Sequence, residues 1–92
     1  MIELEREFQP KKKVRVIIYL RNNIDENLAL TDIAATLKFS DVSITQILKR
    51  LRELKVVETL NGISDGRIKF VKLTKYGISL ADRIKDFFNF QN

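Results

Sequence analysis

Residues 30–77 permit few folds, because helical and extended patterns alternate there in a fixed order. Ile44, Ile47, Leu48, Leu51 and Leu54 recur at i, i+3, i+4 and i+7, which predicts a long helix over residues 41–54 with one face turned to a core. Ser40 stands where a hydroxyl caps such a helix. Upstream, residues 28–30 suit a minor strand, and Thr31 with Asp32 predicts the cap and first turn of a short helix over residues 32–37. Lys38 and Phe39 make the turn between the two helices. Downstream, residues 56–60 and 68–73 are β-rich runs joined by a loop with two turn dipeptides, Asn61-Gly62 and Asp65-Gly66, so a hairpin is expected. Thr74 then caps a last helix whose apolar set is Ile78, Ala81, Ile84, Phe87, Phe88 and Phe90.

Ahead of this run, Pro10 fits the first position of a helix, where its missing N–H would be unpaired anyway. Val14, Ile17, Ile18 and Leu20 give that helix an apolar face, and Asn22-Asn23 offers a left-handed stop. Lys11, Lys12 and Lys13 in its first turn oppose the helix dipole at about 0.3–1 kcal/mol each if exposed. Either the helix begins earlier or these lysines face phosphates. Ile2, Leu4 and Phe8 fit a short strand or a helical arm equally well. The 92 residues make one domain, with residues 1–9 as an N-terminal arm.

Composition removes most chemistry. There is no Cys and no His, which excludes disulfides, thiol redox sensing, Cys/His metal sites and most nucleophile–base pairs. Asp25-Glu26 and Asp82 with Asp86 have the spacing of solvated charges, so no enzyme, cofactor or metal is expected. No apolar run approaches the roughly 18 residues of a membrane span, and the acidic N-terminus is unlike a secretory signal. A cytoplasmic protein is expected.

The net charge of +5 is unevenly placed. Residues 10–21 hold Lys11, Lys12, Lys13, Arg15 and Arg21 with no acid; residues 41–55 net +2 and residues 65–75 net +3. Segregated charge of this kind favours a polyanion partner, against the alternative of a basic coat that only meets solvent.

Between the two central helices the residue types suit a helix-turn-helix: Ala34 is small at a close crossing, Leu37 and Phe39 fill the angle, and Ile44 anchors the second helix. With the apolar stripe buried, Ser43, Gln46 and Arg50 project on one outward face, and Val42, Thr45 and Lys49 line the adjacent one. In a major groove, Gln takes adenine edges, Arg takes guanine, Thr or Val meets a thymine methyl, and Ser reaches a base or phosphate. At the hairpin tip Arg67 can enter a minor groove, with Lys69 and Lys72 on phosphates. The bland counterparts are an ordinary solvated helix face and a charged edge hairpin that resists aggregation.

Over residues 14–84 the layout resembles the winged helix-turn-helix regulators, most closely the MarR type and its small archaeal versions. Ile33-Ala34 with Leu37, the helix from Ser40, the Asp65-x-Arg67 tip and Leu73-Thr74-x-x-Gly77 carry the resemblance. It implies an α+β winged helix-turn-helix fold with a three-helix core, a β-hairpin wing (residues 57–73) and a C-terminal helix. It also implies a homodimer on a palindromic operator in double-stranded DNA, with Ser40, Val42, Ser43, Thr45, Gln46, Lys49 and Arg50 at the major groove and Arg67 in the minor groove. Lys38 and Lys55 depart from the family's usual Gly, so those turns either cost up to about 1 kcal/mol or take another shape. Asp41 is an unusual neighbour for phosphates unless it accepts from a cytosine amine. Dimerisation is expected from residues 74–90 through Ile84, Phe87, Phe88 and Phe90, with Phe8 from the arm; those rings folding back on the first helix is the alternative. The expected function is a transcription regulator, most simply a repressor. A non-specific architectural DNA-binding protein and a protein-interaction module are the other readings.

Overall fold

Helical and extended segments follow one another in the expected order in a computed structural model that describes residues 10–61 and 69–88. They are α1 (Pro10–Asn22), β1 (Leu28–Ala29), α2 (Leu30–Leu37), α3 (Asp41–Glu53), β2 (Val57–Asn61), β3 (Lys69–Leu73) and α4 (Lys75–Phe88). The strands form one antiparallel sheet in the order β1-β3-β2. Leu28 lies opposite Val71, Val57 opposite Leu73, and Asn61 opposite Lys69. The fold is α+β: three helices packed together, a hairpin beside them and a C-terminal helix.

The core is built from the predicted apolar faces with local exceptions. Val16, Ile17 and Leu20 of α1, Ile33 and Ala34 of α2, and Ile44, Ile47, Leu48 and Leu51 of α3 are buried together with Val56, Val57, Val71, Leu73 and Ala81. Each large side chain among them contributes about 1.5–3 kcal/mol by leaving water. In α1, Val16 takes the central place, whereas Val14 and Ile18 are only half-buried. Leu54 is exposed, because α3 stops at Glu53 and the chain turns away before the stripe repeats once more.

Helix ends show where local signals compete. The short helix α2 starts at Leu30, not after Thr31; the Asp32 carboxylate accepts from the Ala29 N–H at 3.0 Å, so the acid closes the end from inside. Asn22-Asn23 makes no left-handed stop. The Asn23 backbone N–H and side-chain amide both donate to the Tyr19 carbonyl, at 3.1 and 2.9 Å, and close α1 in another way. Among the described residues the left-handed ones are Lys38 (φ 61°) and Lys55 (φ 65°). Each is followed by a backbone bond back across the helix end, Phe39 N–H to Ala34 O and Val56 N–H to Leu51 O, both 2.9 Å. Such a closure favours Gly, and a lysine there is strained by about 1 kcal/mol.

The motif Leu73-Thr74-x-x-Gly77 is a junction between the end of α3 and the start of α4. Thr74 donates its N–H to Val56 O (3.0 Å), and its hydroxyl donates toward Lys55 O (2.6 Å) and Val56 O (3.2 Å) while accepting the Gly77 N–H (2.9 Å). Gly77 is required by space: a Cβ there would fall on the Val56 carbonyl oxygen, well inside contact distance. Beyond the junction α4 lies along α1, where Arg21 pairs with Asp82 at 2.9 Å and Lys85 donates to Asn22 Oδ1 at 2.5 Å. Among the described residues no helix is long and apolar enough to cross a membrane.

Candidate nucleic-acid interface

The helix α3 has one committed side and one open side. Ser40 Oγ accepts the Ser43 N–H at 3.1 Å, fixing the first turn as expected, and Asp41 sits favourably at the positive end of the dipole. With Ile44, Ile47, Leu48 and Leu51 buried, a rotation of about 100° per residue places Val42, Gln46, Lys49 and Glu53 diametrically outward. Ser43 and Arg50 lie on one flank, Thr45 and Arg52 on the other. Val42 is 68% exposed, an apolar side chain held in water at the outermost point of the helix.

Ser43 and Arg50 face a neighbour that the sequence pattern alone does not identify. An open cleft of about 280 Å³ between α1 and α3 is lined by Lys12, Lys13, Ser43, Gln46, Ile47 and Arg50. In the helix described from Pro10, Lys11, Lys12 and Lys13 lie in the first turn with no acid among them to offset the dipole. Lys12 Nζ stands 5.7 Å and Arg15 Cζ 5.0 Å from the centre of the Phe39 ring, and Arg15 also donates to Leu37 O at 3.3 Å. Stacking of this kind contributes about 0.5–1 kcal/mol at an exposed site and ties α1 to the turn before α3. Sequence reasoning does not single out Arg15 and Phe39 as site residues; the i, i+3 spacing of Lys12 and Arg15 is the signal that points to them. Arg50 also reaches Glu53 at 3.4 Å, a long exposed pair that a stronger anion displaces readily.

At the hairpin, Lys69 is exposed at the start of β3. Lys72 needs correction as a phosphate ligand, because its ammonium donates to Glu26 O at 2.6 Å and Ile24 O at 3.2 Å and so holds the loop after α1. Alternation explains the difference: Val71 and Leu73 point to the core, leaving Lys72 on the opposite face where that loop passes. Of the residues expected at a dimer contact, Ile84 is half-buried against the chain's own core and Phe87 is 81% exposed. Phe8, Arg67 and Phe90 lie outside the described residues, and the side chains of Lys11 and Phe88 are likewise not described.

A small three-helix unit with an antiparallel hairpin beside its long third helix defines the class of winged helices. The chain belongs to the family described as Winged helix DNA-binding domain, which its residues 9–77 match. No curated protein sequence matches it. Among solved structures, a point mutant of MepR from Staphylococcus aureus superposes with a TM-score of 0.83 at 24% identity, covering 95% of this chain and 64% of that one. The S. aureus MepR–DNA complex gives 0.81 at 24% identity, over 95% of this chain and 63% of MepR. An apo-form double mutant of ZitR from Lactococcus lactis gives 0.77 at 18% identity, over 96% of this chain and 64% of ZitR. The chain thus spans less than two thirds of the length of these proteins, and the likeness to them is one of fold.

Proposed function

We propose that this chain is a sequence-specific double-stranded DNA-binding transcription regulator, most simply a cytoplasmic repressor acting as a homodimer. In this reading α3 enters the major groove and the β2–β3 hairpin serves as a wing. The observation that carries it is the open side of α3, where Val42, Gln46 and Lys49 stand outward and Thr45 stands exposed on the flank of a helix whose opposite side is wholly committed to the core. These side chains offer a methyl contact, a hydroxyl, an amide and a cation, which is the chemistry base edges recognise. Lys12 and Lys13 on one side and Lys69 on the wing extend the basic surface beyond the helix. MepR, whose fold this chain shares, is a transcription regulator of a multidrug efflux pump and has been solved with DNA. A single module gives limited specificity, whereas two half-sites about 34 Å apart give a usable amount. The apolar exposure of Phe87 on α4 supports pairing there.

The test is fluorescence anisotropy against a duplex from the chain's own upstream region and a scrambled duplex, across a salt series. Gln46→Ala is expected to relax preference at one base-pair position, at about 1–3 kcal/mol of discrimination, while Lys69→Ala weakens both duplexes alike and lowers the salt slope by about one. Equal binding to both duplexes by the unaltered protein, collapsing together with salt, would favour an architectural role instead, provided the operator lies in the upstream duplex.

A further inference from the structure

We propose that the cleft between the first turn of α1 and the flank of α3 seats one backbone phosphate of the bound duplex. Lys12, Lys13 and Arg50 are its cations and Ser43 a hydroxyl donor, so Arg50 contacts the sugar–phosphate backbone and not a base edge. This assignment rests on the DNA-binding reading above and deepens it.

Three observations lead there. First, the cleft brings together cations from segments nearly forty residues apart, and among the described residues its lining is Lys12, Lys13, Ser43, Gln46, Ile47 and Arg50, with no carboxylate. Only the long exposed pair of Arg50 with Glu53, at 3.4 Å, offsets this convergence of like charges, and an anion in the cleft reverses the repulsion that is left. It also relieves the lysines that oppose the dipole of α1. Second, Arg50 lies roughly 70° around α3 from its outermost line, on the side of α1. A side chain in that position leaves the groove floor to Val42, Gln46 and Lys49 and meets the groove wall, where the phosphates run. Third, the cleft is fixed relative to α3 before any ligand arrives: Lys12 and Arg15 stand over Phe39 in the turn ahead of α3, and Arg15 is bonded to Leu37 O. A phosphate held there clamps the first helix and the recognition helix to the same point on the backbone. Contacts of that sort set orientation and carry no base information.

Anisotropy on the full chain tests this with Lys12→Gln/Lys13→Gln, Arg50→Ala and Arg50→Lys, each first checked by its thermal melt. The lysine pair and Arg50→Ala are each expected to weaken specific and scrambled duplexes by the same factor, about tenfold, and to lower the salt slope by no more than about one in all, because their cations share one phosphate. Their combination weakens binding by less than the product of the two, because they share one phosphate. Arg50→Lys restores most of the affinity, since a phosphate accepts a point charge, whereas bidentate guanine reading does not. A duplex with a neutral methylphosphonate at a single position per half-site binds the unaltered protein more weakly but is no worse for the lysine pair. The assignment is overturned if Arg50→Ala changes base preference, if Arg50→Lys fails to restore affinity, or if the lysine pair leaves affinity and salt slope unchanged. Failure of the unaltered protein to bind any duplex at low salt would instead remove the DNA-binding reading beneath it.

Discussion

Two helices of this chain begin with the same device and are held in opposite ways. Ser40 and Thr74 each accept an N–H three residues on, from Ser43 and Gly77 respectively. Ser40 is exposed, and its hydroxyl makes that one local bond. Thr74 is half-buried, and the same hydroxyl that caps α4 also bonds back to the Lys55 and Val56 carbonyls. The helix α3 is therefore placed by its apolar side, leaving its N-terminus open to solvent. The C-terminal helix α4 is placed by a fitted backbone junction, with no room at Gly77 for even a methyl group. A winged helix that must present one helix to a partner and keep the next fixed gains from this division: adaptable at the first start, rigid at the second.

The largest effect that sharpens the contrast is expected at Gly77. A methyl placed on the Val56 carbonyl has backbone as its obstacle, so neither rotamer change nor solvent relieves it. Gly77→Ala is expected to destabilise the fold by about 3 kcal/mol, at the upper end of ordinary overpacking. Urea unfolding followed by circular dichroism reads the change directly. A loss below about 1 kcal/mol would show that α4 shifts freely and that the two helix starts are alike in tolerance.

What can be read from the sequence follows the same division between local and tertiary causes. The caps at Ser40 and Thr74, the hairpin and the apolar stripe of α3 from Ile44 to Leu51 depend on residues a few positions apart, and they are found where the spacing puts them. Lys38 and Lys55, which depart from the family's glycine, do adopt the left-handed shape rather than escape it. Beyond that local range a distant segment decides. Lys72 reads as a phosphate ligand because strand alternation does not show that the loop after α1 passes over it and offers two carbonyls. Thr31 yields the role of cap to Ala29 and Asp32, a local competition between an alcohol and an acid one residue apart. The joining of Lys12 and Lys13 to Arg50 in one cleft is set by the crossing of α1 over α3, which no periodicity in either segment encodes.

A smaller effect compares the two hydroxyls themselves. Ser40→Ala removes one exposed cap bond and is expected to cost about 1 kcal/mol. Thr74→Val keeps the shape of the side chain but removes its bonds to Gly77, Lys55 and Val56 in a half-buried place, at a cost of about 2 kcal/mol. The order of the two unfolding midpoints, with equal denaturant slopes, is the result to watch. If Ser40→Ala proves the more damaging, the start of α3 is held by its cap after all and the division between the helices fails.

The smallest effect has the opposite sign. Lys38 and Lys55 both close helices in the left-handed region, one in the exposed turn before α3 and the other in the junction with α4. Lys38→Gly and Lys55→Gly remove the Cβ that makes this conformation costly, a relief of about 1 kcal/mol. Glycine gives part of that back through the greater freedom of the unfolded chain, leaving an expected gain of about 0.5 kcal/mol at each site. The bond from Thr74 to the Lys55 carbonyl needs only the backbone of residue 55, so Lys55→Gly keeps it, and the two sites should gain alike in urea unfolding. A gain at Lys38 with a loss at Lys55 would mean that the lysine stem contributes to the junction by packing. The rigidity of the second helix start would then belong to side chains as well as to the backbone fit at Gly77.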